Sequence, residues 1–479
     1  MNVIGLEVST SSAKAILFSS TGELLAESTR PLPNGISQVT WQEPQGIFQV
    51  ALECLKDVAS VDKGSIEAIG LGGIWHSLLL LDKERQPLEP IRTWADLSFT
   101  DSLFEVKEDQ GLVDWVYGKT GCLGHGMYPL WKLYGMRLLE HSALSQTSYI
   151  SSQIEYLFTT LTGEIGVSAC TASGSGLMNI HTVQWDEELL EFVGLNSNMM
   201  AEIKEGYYTA PLQRDIATMV GLKQGIPVTV GCADGALNQI SSGGLANGIM
   251  TFSVGTSGAL RLASPTPLLG EEPATWCYYL VDGQRLAGVA THATSNLEWF
   301  MRQFNLDNDD HEHLAREASK LPVDSGPLFF PFIYGERAPG WQENRTGGFV
   351  GLTSEHTVVH LYNAVLEGIL FTLYQSFLEL QKVASLPVDI RLSGGIIHSP
   401  YWSQMAADIF GSKLTTTGNV HESTLGAALF ALQASGALEH VREYTPPLMG
   451  TIMPHEERHR QYGKRFRRYL ENYESTLGW

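Results

Sequence analysis

Hydrophobic and polar residues alternate in blocks over the first part of the chain, and these blocks predict strands and one helix. Three apolar, strand-like runs between residues 3 and 29 are broken by polar segments at residues 9–12 and 19–22. Apolar residues then recur at helical spacing over residues 47–58, and a mainly apolar run at residues 66–71 is typical of a buried strand. The pattern therefore predicts an α/β layer, with ligands expected at the carboxyl ends of its strands.

The second half of the chain repeats this plan after a glycine-rich segment at residues 243–248. We therefore predict two α/β domains, at residues 1–245 and 246–479, with ligand chemistry in the cleft between them. The later pattern predicts helices at residues 357–383, 401–410 and 424–432 and strands at residues 388–392 and 414–416.

Each half also contains a hydroxyl-rich turn between two apolar runs. The first turn is Ser9-Thr10-Ser11-Ser12 and the second is Gly255-Thr256-Ser257. Backbone N–H groups and hydroxyls in such turns are hydrogen-bond donors that can hold phosphate without a charged side chain. Either turn alone is also consistent with an ordinary strand connection. Their repetition predicts that the phosphates of a nucleotide are held between the two halves.

Charge and cysteine content narrow the classes of function. The formal net charge of -21 disfavours nucleic acid and acidic membrane surfaces as partners, so an anionic ligand must be held by local groups. The five cysteines are scattered without C-x-x-C spacing, which favours a reducing cytoplasm over a disulfide framework or thiolate metal site. We also expect no export signal and no membrane anchor, because no apolar run approaches the length of a bilayer span.

Two motifs of other protein classes are incomplete. Gly118-Lys119-Thr120 ends like a P-loop, but the glycine required five positions earlier is Val113. His455-Glu456-Glu457-Arg458-His459 matches the zinc pattern H-E-x-x-H, yet its surroundings are highly charged and offer no apparent third ligand. We expect no phosphate cradle at the first motif and a solvated surface at the second.

An acidic residue follows an apolar strand near the middle of the chain. Residues 227–230 are apolar or β-branched and lead into Gly231-Cys232-Ala233-Asp234-Gly235, which puts Asp234 at the carboxyl end of the strand. Phosphoryl transfer to a hydroxyl needs a base within reach of that hydroxyl, and Asp234 is a candidate. Asp also suits the N-cap of a helix, and the sequence leaves both interpretations open.

Aromatic and polar residues near two other apolar segments suit a polyol ligand. Trp75 and His76 follow the strand predicted at residues 66–71, and Trp94 and Asp96 follow a second apolar segment. An indole face can cover C–H groups, whereas Asp and His can bind hydroxyls. Buried packing is the alternative for His76 and for Trp94.

A glycine pair follows the strand predicted at residues 388–392. Gly394 and Gly395 stand there, and Ser399 follows at the predicted start of a helix. Glycines at this place would let a flat nucleotide base approach the backbone, and a helix cap is the alternative.

Taken together, these segments resemble the FGGY family of carbohydrate kinases. The resemblance implies two domains with the actin-like ATPase or ribonuclease H-like fold of hexokinase and the heat-shock chaperones, and a cleft between the domains. The matching segments, in chain order, are the first turn, Trp75-His76-Ser77, Thr93-Trp94-Ala95-Asp96, Pro129 with Lys132, Gly231 to Gly235, Gly255 to Gly258, Gly335-Glu336-Arg337-Ala338-Pro339 with Trp341, Glu367-Gly368, Gly394-Gly395 with Ser399 and Trp402, Ala407-Asp408, and Leu425-Gly426-Ala427-Ala428.

The resemblance also implies a role for each candidate residue. Asp234 would be the catalytic base that takes the proton of the sugar's terminal hydroxyl, which then attacks the γ-phosphate of ATP. Trp75, His76, Trp94, Asp96 and Asp234 would bind the sugar, and Glu7 would bind Mg2+. The residues implied for ATP binding are Ser9, Thr10, Ser11, Ser12, Lys14, Gly255, Thr256, Ser257, Gly394, Gly395 and Ser399. The expected partners are thus a small sugar or sugar acid and ATP, with no nucleic acid and no membrane, and a homodimer is left open.

Within the family, the segments around His76, Trp94 and Gly335 look most like those of kinases that act on gluconate, with xylulose kinases second. Gluconate is an open-chain acid, so its carboxylate needs a cation or several N–H donors. Arg92 lies near the Trp94 segment and could supply the cation, and an exposed surface arginine is the alternative.

Two residues of the first turn region depart from the family pattern. Glu7 stands where Asp is usual, and its extra methylene could displace a water bound to magnesium, which demands near-octahedral geometry. Ser9 stands where Gly is usual, in a turn where glycine could adopt a conformation that other residues avoid. The rival expectation is therefore a non-catalytic sugar- or sugar-acid-binding protein that keeps the fold.

Overall fold

A computed structural model of the chain describes residues 1–62, 65–418 and 421–476. Two mixed β-sheets, each of seven strands among those residues, form the centres of the two halves. Both sheets share one arrangement, a β-hairpin whose first strand also pairs in parallel with a later strand. In each half, the hairpin turn therefore lies at the edge where the parallel strands end.

The first sheet has the strand order β13-β14-β5-β1-β2-β3, with β15 paired to β5. The strands of the first half are β1 (Asn2–Val8), β2 (Ser12–Ser19), β3 (Leu24–Pro31), β4 (Trp41–Gln42), β5 (Ile66–Gly73), β6 (Leu79–Leu81), β7 (Ile91–Arg92), β8 (Tyr149–Ser151), β9 (Val167–Ser168), β10 (Met178–Asn179), β11 (Gln184–Trp185), β12 (Ile203–Lys204), β13 (Thr209–Pro211), β14 (Pro227–Thr229) and β15 (Cys232–Ala233). Val8 pairs with Ala13 across the hairpin and with Gly73 in the parallel pair, so the first turn lies beside the end of β5.

The second sheet has the strand order β18-β19-β17-β16-β22-β23-β24. The strands of the second half are β16 (Ile249–Val254), β17 (Ser257–Ser264), β18 (Trp276–Tyr279), β19 (Arg285–His292), β20 (Leu328–Phe330), β21 (Gly348–Val350), β22 (Asp389–Ser393), β23 (Leu414–Thr417) and β24 (Leu448–Ile452). Val254 pairs with Gly258 across the hairpin, and Ser253 pairs with Ser393 in the parallel strand. The second turn therefore lies beside the segment that follows β22.

Helices cover the two sheets. They are α1 (Pro44–Ala59), α2 (Thr100–Glu108), α3 (Gln110–Thr120), α4 (Pro129–Leu138), α5 (Ser142–Gln146), α6 (Gln153–Thr162), α7 (Ala169–Ser173), α8 (Glu187–Phe192), α9 (Arg214–Val220), α10 (Asp234–Ser241), α11 (Thr294–Gln303), α12 (Asn308–Ala318), α13 (Val358–Val383), α14 (Pro400–Phe410), α15 (Glu422–Ala434) and α16 (Glu456–Ser475). Helix α1 shows why such segments start where they do, because Pro44 suits the first turn and the Glu43 carboxylate accepts a 3.2 Å hydrogen bond from the N–H of Gln45.

Helix α15 joins the two halves, because it comes from the second half and packs on β1, β5 and α10 of the first. Two glycines allow this contact. A Cβ added to Gly70 would lie 1.8 Å from the carbonyl oxygen of Ala427, and one added to Gly5 would lie 2.3 Å from that of Thr424. The backbones of helix and sheet are therefore in direct contact at the centre of the molecule.

The structure confirms the predicted α/β class and most of the predicted elements. Strands β1 to β3 and helix α1 lie where the pattern predicts them, and the helices predicted in the second half correspond to α13, α14 and α15, with ends that differ by at most two residues. Within the described ranges, no helix is both long and apolar enough to cross a membrane. The domain division between residues 245 and 246 stays a prediction.

Candidate active site

Asp234 is the first residue of helix α10, directly after β15, which pairs with β5. Its side chain is half-buried, and its Oδ1 atom accepts a 2.6 Å hydrogen bond from the N–H of Gly235. Burial and the negative charge of Glu7 raise the pKa of Asp234 to about 6, whereas the Gly235 amide and the charges of Arg261 and Arg337 act to lower it. Asp234 is thus a carboxylate that is ionised at neutral pH and still basic enough to accept a proton.

Glu7 lies near the end of β1 and is buried. Its Oε2 atom accepts hydrogen bonds from Ser423 Oγ at 2.9 Å and from Thr424 Oγ1 at 2.7 Å. Both donors belong to the first turn of α15. The longer side chain of Glu therefore reaches across to the second half of the chain.

The carboxylate of Glu7 is an oxygen donor of the kind that magnesium takes. Mg2+ is usually held by one or two carboxylates together with substrate phosphates and waters, rather than by a cage of protein ligands. The described residues contain no group of three or more His, Cys, Asp or Glu that could hold a metal alone. The negative charge of Glu7 acts on Asp234, so the two carboxylates are near enough to influence each other.

The first hydroxyl-rich turn is held together by its own serine. Ser9 Oγ accepts hydrogen bonds from the N–H groups of Ser11 at 3.3 Å and Ser12 at 3.1 Å. The Ser9 N–H also donates to the carbonyl of Ser12 at 2.8 Å. Ser9 does not adopt a positive φ, so its backbone is unstrained there. The serine instead occupies two backbone donors that a glycine would leave open.

Thr10 inside this turn and Lys14 just after it connect the turn to other parts of the site. Lys14 Nζ lies 3.1 Å from Nδ1 of His421, the residue that caps α15. Thr10 Oγ1 accepts a 3.3 Å hydrogen bond from the indole N–H of Trp94. The turn is therefore in contact with both halves of the chain.

The second turn is more open. Thr256 is exposed, and within the described residues the hydroxyls of Thr256 and Ser257 have no recorded hydrogen bond. The carbonyl of Gly255 accepts a 2.8 Å hydrogen bond from the N–H of Thr294, which fixes the backbone. The hydroxyls of Thr256 and Ser257 are therefore available as donors, with no competing partner among the described residues.

The glycine pair lies beside the second turn. Gly394 and Gly395 are both exposed, and Gly394 has a φ of 83°. A Cβ added to Gly394 would lie 2.5 Å from the carbonyl oxygen of Val254, so the contact between the two segments needs glycine. Ser399 caps α14, where its Oγ accepts a 3.4 Å hydrogen bond from the N–H of Trp402.

An aromatic wall surrounds His76. Trp75 donates from its indole nitrogen to the carbonyl of Cys170 at 2.9 Å and packs against Tyr278, with ring centres 4.9 Å apart. His76 Nδ1 lies 2.7 Å from the carbonyl oxygen of Gly174. Burial lowers the pKa of His76 to about 3, so the ring is neutral, Nδ1 carries the proton, and Nε2 is an acceptor.

Asp96 is buried and already has partners. Arg92 donates to its Oδ2 at 3.0 Å, and the N–H of Ser98 donates to its Oδ1 at 3.0 Å. Burial acts to raise the pKa of Asp96, but these hydrogen bonds prevail and lower it. Arg92 also pairs with Glu89 at 2.7 Å, so its charge is compensated by two carboxylates.

Two arginines of the second half were not singled out by sequence reasoning. Arg261, on β17, donates to Ser253 Oγ at 3.1 Å. Arg337 lies over the ring of Trp94, 5.5 Å from its centre. Both act electrostatically on Asp234. Arg337 lies inside the Gly335–Trp341 segment on which the family resemblance partly depends. The sequence indicates Arg261 only by its position a few residues after the second turn.

The two incomplete motifs have structural partners. His455 Nδ1 lies 3.2 Å from Asp408 Oδ1, and His459 Nδ1 lies 2.9 Å from the carbonyl oxygen of the same residue. Lys119 of the P-loop-like segment pairs with Asp186 at 3.0 Å and Glu188 at 2.7 Å. Neither motif contributes to the site around Asp234.

Comparisons with known proteins agree across the whole chain. The family model "FGGY family of carbohydrate kinases, N-terminal domain" matches residues 2–241, and the C-terminal domain model of the same family matches residues 250–435. The gluconokinase of Bacillus subtilis (strain 168) is 29% identical over 456 residues, which cover 91% of this chain and 88% of that protein. The xylulose kinase of Bacillus subtilis (strain 168) is 28% identical over 453 residues, which cover 92% of this chain and 90% of that protein.

A solved structure has nearly the same backbone. The crystal structure of gluconate kinase from Lactobacillus acidophilus superposes with a TM-score of 0.94 at 27% identity, covering 100% of this chain and 99% of that one. Together with the two family models, this likeness confirms the predicted two-domain fold of the actin-like ATPase type.

Proposed function

The chain belongs to the FGGY family of carbohydrate kinases and is a phosphotransferase with ATP as donor, and from this premise we propose that its acceptor is gluconate. The product of the proposed reaction is 6-phosphogluconate. The observation that carries the proposal is Asp234, a carboxylate at the start of a helix with a pKa of about 6, on which the charges of Glu7 of the first half and of two arginines of the second act.

In the proposed reaction, Asp234 accepts the proton of the terminal hydroxyl of gluconate. The hydroxyl oxygen forms a bond to the γ-phosphorus of ATP, the bond from that phosphorus to the β,γ-bridging oxygen breaks, and ADP leaves. A base with a pKa of about 6 suits this step, because it is mainly ionised at neutral pH and keeps basicity for the transfer.

The two turns would hold the phosphates. Thr256 and Ser257 offer hydroxyls, and Lys14 adds a positive charge beside the first turn. The exposed backbone at Gly394 and Gly395, next to the second turn, would receive the adenosine. Glu7 would hold Mg2+, which when bound offsets the negative charge of the phosphates.

The sugar chain would lie between His76 and Trp94. The unprotonated Nε2 of His76 can accept a hydrogen bond from a hydroxyl, and the ring of Trp94 can cover C–H groups. Asp96 is ionised and adds a second acceptor near Trp94. Trp75 supports His76 from behind, with ring centres 5.9 Å apart.

Two similar proteins support gluconate as the acceptor. One is the gluconokinase of Bacillus subtilis, which is similar in sequence, and the other is the gluconate kinase of Lactobacillus acidophilus, whose crystal structure superposes on this chain. Xylulose is the second candidate, because a xylulose kinase is 28% identical over nearly the same length. A non-catalytic binding protein is the third, because Ser9 Oγ occupies two N–H donors of the first turn.

The test is ADP release from purified protein with ATP and magnesium, measured separately with gluconate, xylulose and a panel of other sugars and sugar acids. We expect kcat/KM to be highest for gluconate, by at least ~tenfold over xylulose, which corresponds to roughly 1.4 kcal/mol. A higher value for xylulose would replace gluconate as the acceptor. Ligand-dependent melting shifts without ADP release would instead support the non-catalytic protein.

A further inference from the structure

We propose that Arg337 makes this protein selective for sugar acids by binding the carboxylate of the substrate. The inference rests on the proposed function and deepens it, because it names the residue that separates gluconate from neutral sugars of the same length. It depends on the position of the Arg337 guanidinium, on the absence of a carboxylate partner for it among the described residues, and on the fixed backbone that carries it.

Arg337 comes from the second half of the chain, but its neighbours belong to the sugar side of the site. Its guanidinium lies 5.5 Å from the centre of the Trp94 ring, and its Nη2 atom lies 3.9 Å from the sulfur of Met127. Its charge acts on His76 and Asp234, the candidate hydroxyl acceptor and the candidate base. A ligand between these residues would therefore meet the guanidinium.

No Asp or Glu side chain of the described residues lies within ion-pair distance of the Arg337 guanidinium, although the charge of Asp234 acts on it. The Nε atom of Arg337 is buried and has no hydrogen-bond partner among the described residues. Arg337 is half-buried, and arginines withdrawn from water are normally paired, because removing an unpaired charge from water is costly. A carboxylate is the group that a planar guanidinium binds best, through two parallel N–H donors.

The neighbouring carboxylate is turned away from this site. Glu336 pairs with Arg345 at 2.7 Å and accepts a hydrogen bond from Tyr473. The backbone of the Arg337 segment is also held, because its carbonyl accepts a 2.7 Å hydrogen bond from the N–H of Trp341. The backbone that carries Arg337 is therefore held in place before a ligand arrives, which lowers the entropy cost of binding.

The other two arginines of the site are less suitable. Arg92 is already paired with Glu89 and Asp96. The Nε atom of Arg261 is also buried without a partner among the described residues, but Arg261 donates to Ser253, which precedes the second turn, and the charges of Asp234 and Glu422 act on it. Arg261 therefore has a hydrogen-bonded oxygen partner beside that turn, whereas the guanidinium of Arg337 lies over the ring of Trp94.

The arrangement also orients the substrate. Gluconate has its carboxylate at one end of the carbon chain and the reacting hydroxyl at the other. With the carboxylate on Arg337, the hydroxyl end is free to reach Asp234, and the negative end is kept apart from the carboxylates of Asp234 and Glu7. A neutral polyol of the same length lacks this anchor and can bind in either direction.

The test is isothermal titration calorimetry without ATP, so that no turnover occurs. The ligands are gluconate and glucitol, which differ at one terminal carbon, and the proteins are wild type, Arg337→Met, Arg337→Lys and Arg302→Met. Arg302 is exposed on α11 and serves as the charge-matched control. We expect wild type to bind gluconate ~30-fold more tightly than glucitol, from a charge-assisted bidentate contact.

Arg337→Met should weaken gluconate binding by ~30-fold and glucitol binding by less than ~3-fold. Arg337→Lys should have an intermediate gluconate affinity, because lysine keeps the positive charge but lacks the two parallel N–H donors of the guanidinium. Arg302→Met should match wild type. Equal losses for both ligands, or an unchanged gluconate affinity in Arg337→Met, would overturn the inference. If thermal melting shows that Arg337→Met does not fold, two measurements test the inference instead. They are the ratio of gluconate to glucitol affinity in wild type and the gluconate affinity of Arg337→Lys, and an absent preference or an unchanged affinity would overturn the inference.

The two proposals can fail separately. Gluconate binding that depends on Arg337, without ADP release in the kinase assay, would leave this inference standing and remove the proposed function. ADP release with xylulose and no calorimetric binding of gluconate would remove this inference while the kinase remains. A loss of ATP affinity in Arg337→Met equal to the loss for gluconate would assign Arg337 to the phosphates and overturn the inference.

Discussion

The hydroxyl of Thr424 donates a 2.7 Å hydrogen bond to the carboxylate of Glu7, although the two residues are 417 positions apart in the chain. Ser423 donates to the same oxygen at 2.9 Å. The end of β1 is thereby tied to the first turn of α15, at the place where the two halves of the molecule meet. The extra methylene of Glu7, relative to the Asp usual in the family, gives this side chain the reach for the contact.

We expect this contact to contribute to stability as a unit. Thr424→Val and Glu7→Gln should each lower the free energy of unfolding by ~1–2 kcal/mol, because each weakens a buried, charge-assisted hydrogen bond. The double variant should lose less than the sum, with a coupling of ~1 kcal/mol in urea unfolding curves. Thr218→Val on α9, whose hydroxyl bonds within its own helix, is the control. Strictly additive losses would show that the two side chains do not cooperate.

The glycine of β5 that faces α15 gives a second prediction. Gly70→Ala would place a methyl group 1.8 Å from the carbonyl oxygen of Ala427, so the helix and the sheet must separate. We expect a loss of ~2–4 kcal/mol in the free energy of unfolding, the range of severe overpacking. Gly35→Ala is the matched control, because nothing lies within 4 Å of its added Cβ, and it should change stability by less than ~0.5 kcal/mol. Equal effects of the two substitutions would contradict the contact described here.

Ser9 provides a prediction about nucleotide binding. Its hydroxyl occupies the N–H groups of Ser11 and Ser12, so Ser9→Ala should free both donors for phosphate. We expect ATP affinity to rise ~2–5-fold and stability to fall by ~1 kcal/mol, as measured by calorimetry and by thermal melting. Ser325→Ala, which removes a 2.8 Å bond to the carbonyl of Pro322, should leave ATP affinity unchanged. Weaker ATP binding in Ser9→Ala would mean that the hydroxyl itself contacts the phosphates.

The ionised carboxylate of Asp234 should lower the free energy of unfolding at neutral pH. Its pKa rises from 3.8 to about 6 in the folded protein, so the folded state holds the proton more tightly than the unfolded state does. This group therefore favours folding at low pH, and that contribution is lost as the pH rises from about 4 through about 6. Asp234→Asn should stabilise the unliganded protein by ~1–2 kcal/mol at pH 7.5, a value reduced for partial exposure, and by much less at pH 4. A stability difference that does not depend on pH would show that the carboxyl pKa is unshifted.

The sequence predicted local structure well where the pattern was regular. The hairpin of β1 and β2, helix α1 and the long helix α13 lie where hydrophobic periodicity puts them. The turn at Gly255 and the pair Gly394-Gly395 could also be located, because turns and glycines are local signals. Their closeness could not be read from the sequence, since it depends on the parallel register of Ser253 with Ser393.

Long-range partners were beyond sequence reasoning. Nothing in the pattern around Glu7 shows that its carboxylate meets Thr424, because the pairing depends on how α15 crosses the first sheet. The sequence offers Arg92 as the cation for a substrate carboxylate, yet Arg92 is paired with Glu89 and Asp96, whereas Arg337 has no carboxylate partner within the described residues. Whether a charge is already paired is a property of the folded chain.

The central claim is that Asp234 is the base for phosphoryl transfer, and the most direct measurement is single-turnover ADP formation by Asp234→Asn with gluconate, ATP and magnesium. The account predicts a rate lower by at least ~10²–10⁴-fold, because general base catalysis is removed. Gluconate binding, measured in parallel by calorimetry, should change by less than ~3-fold, because Asn keeps the shape of the side chain. A variant that binds gluconate and forms ADP at the wild-type rate would contradict the account.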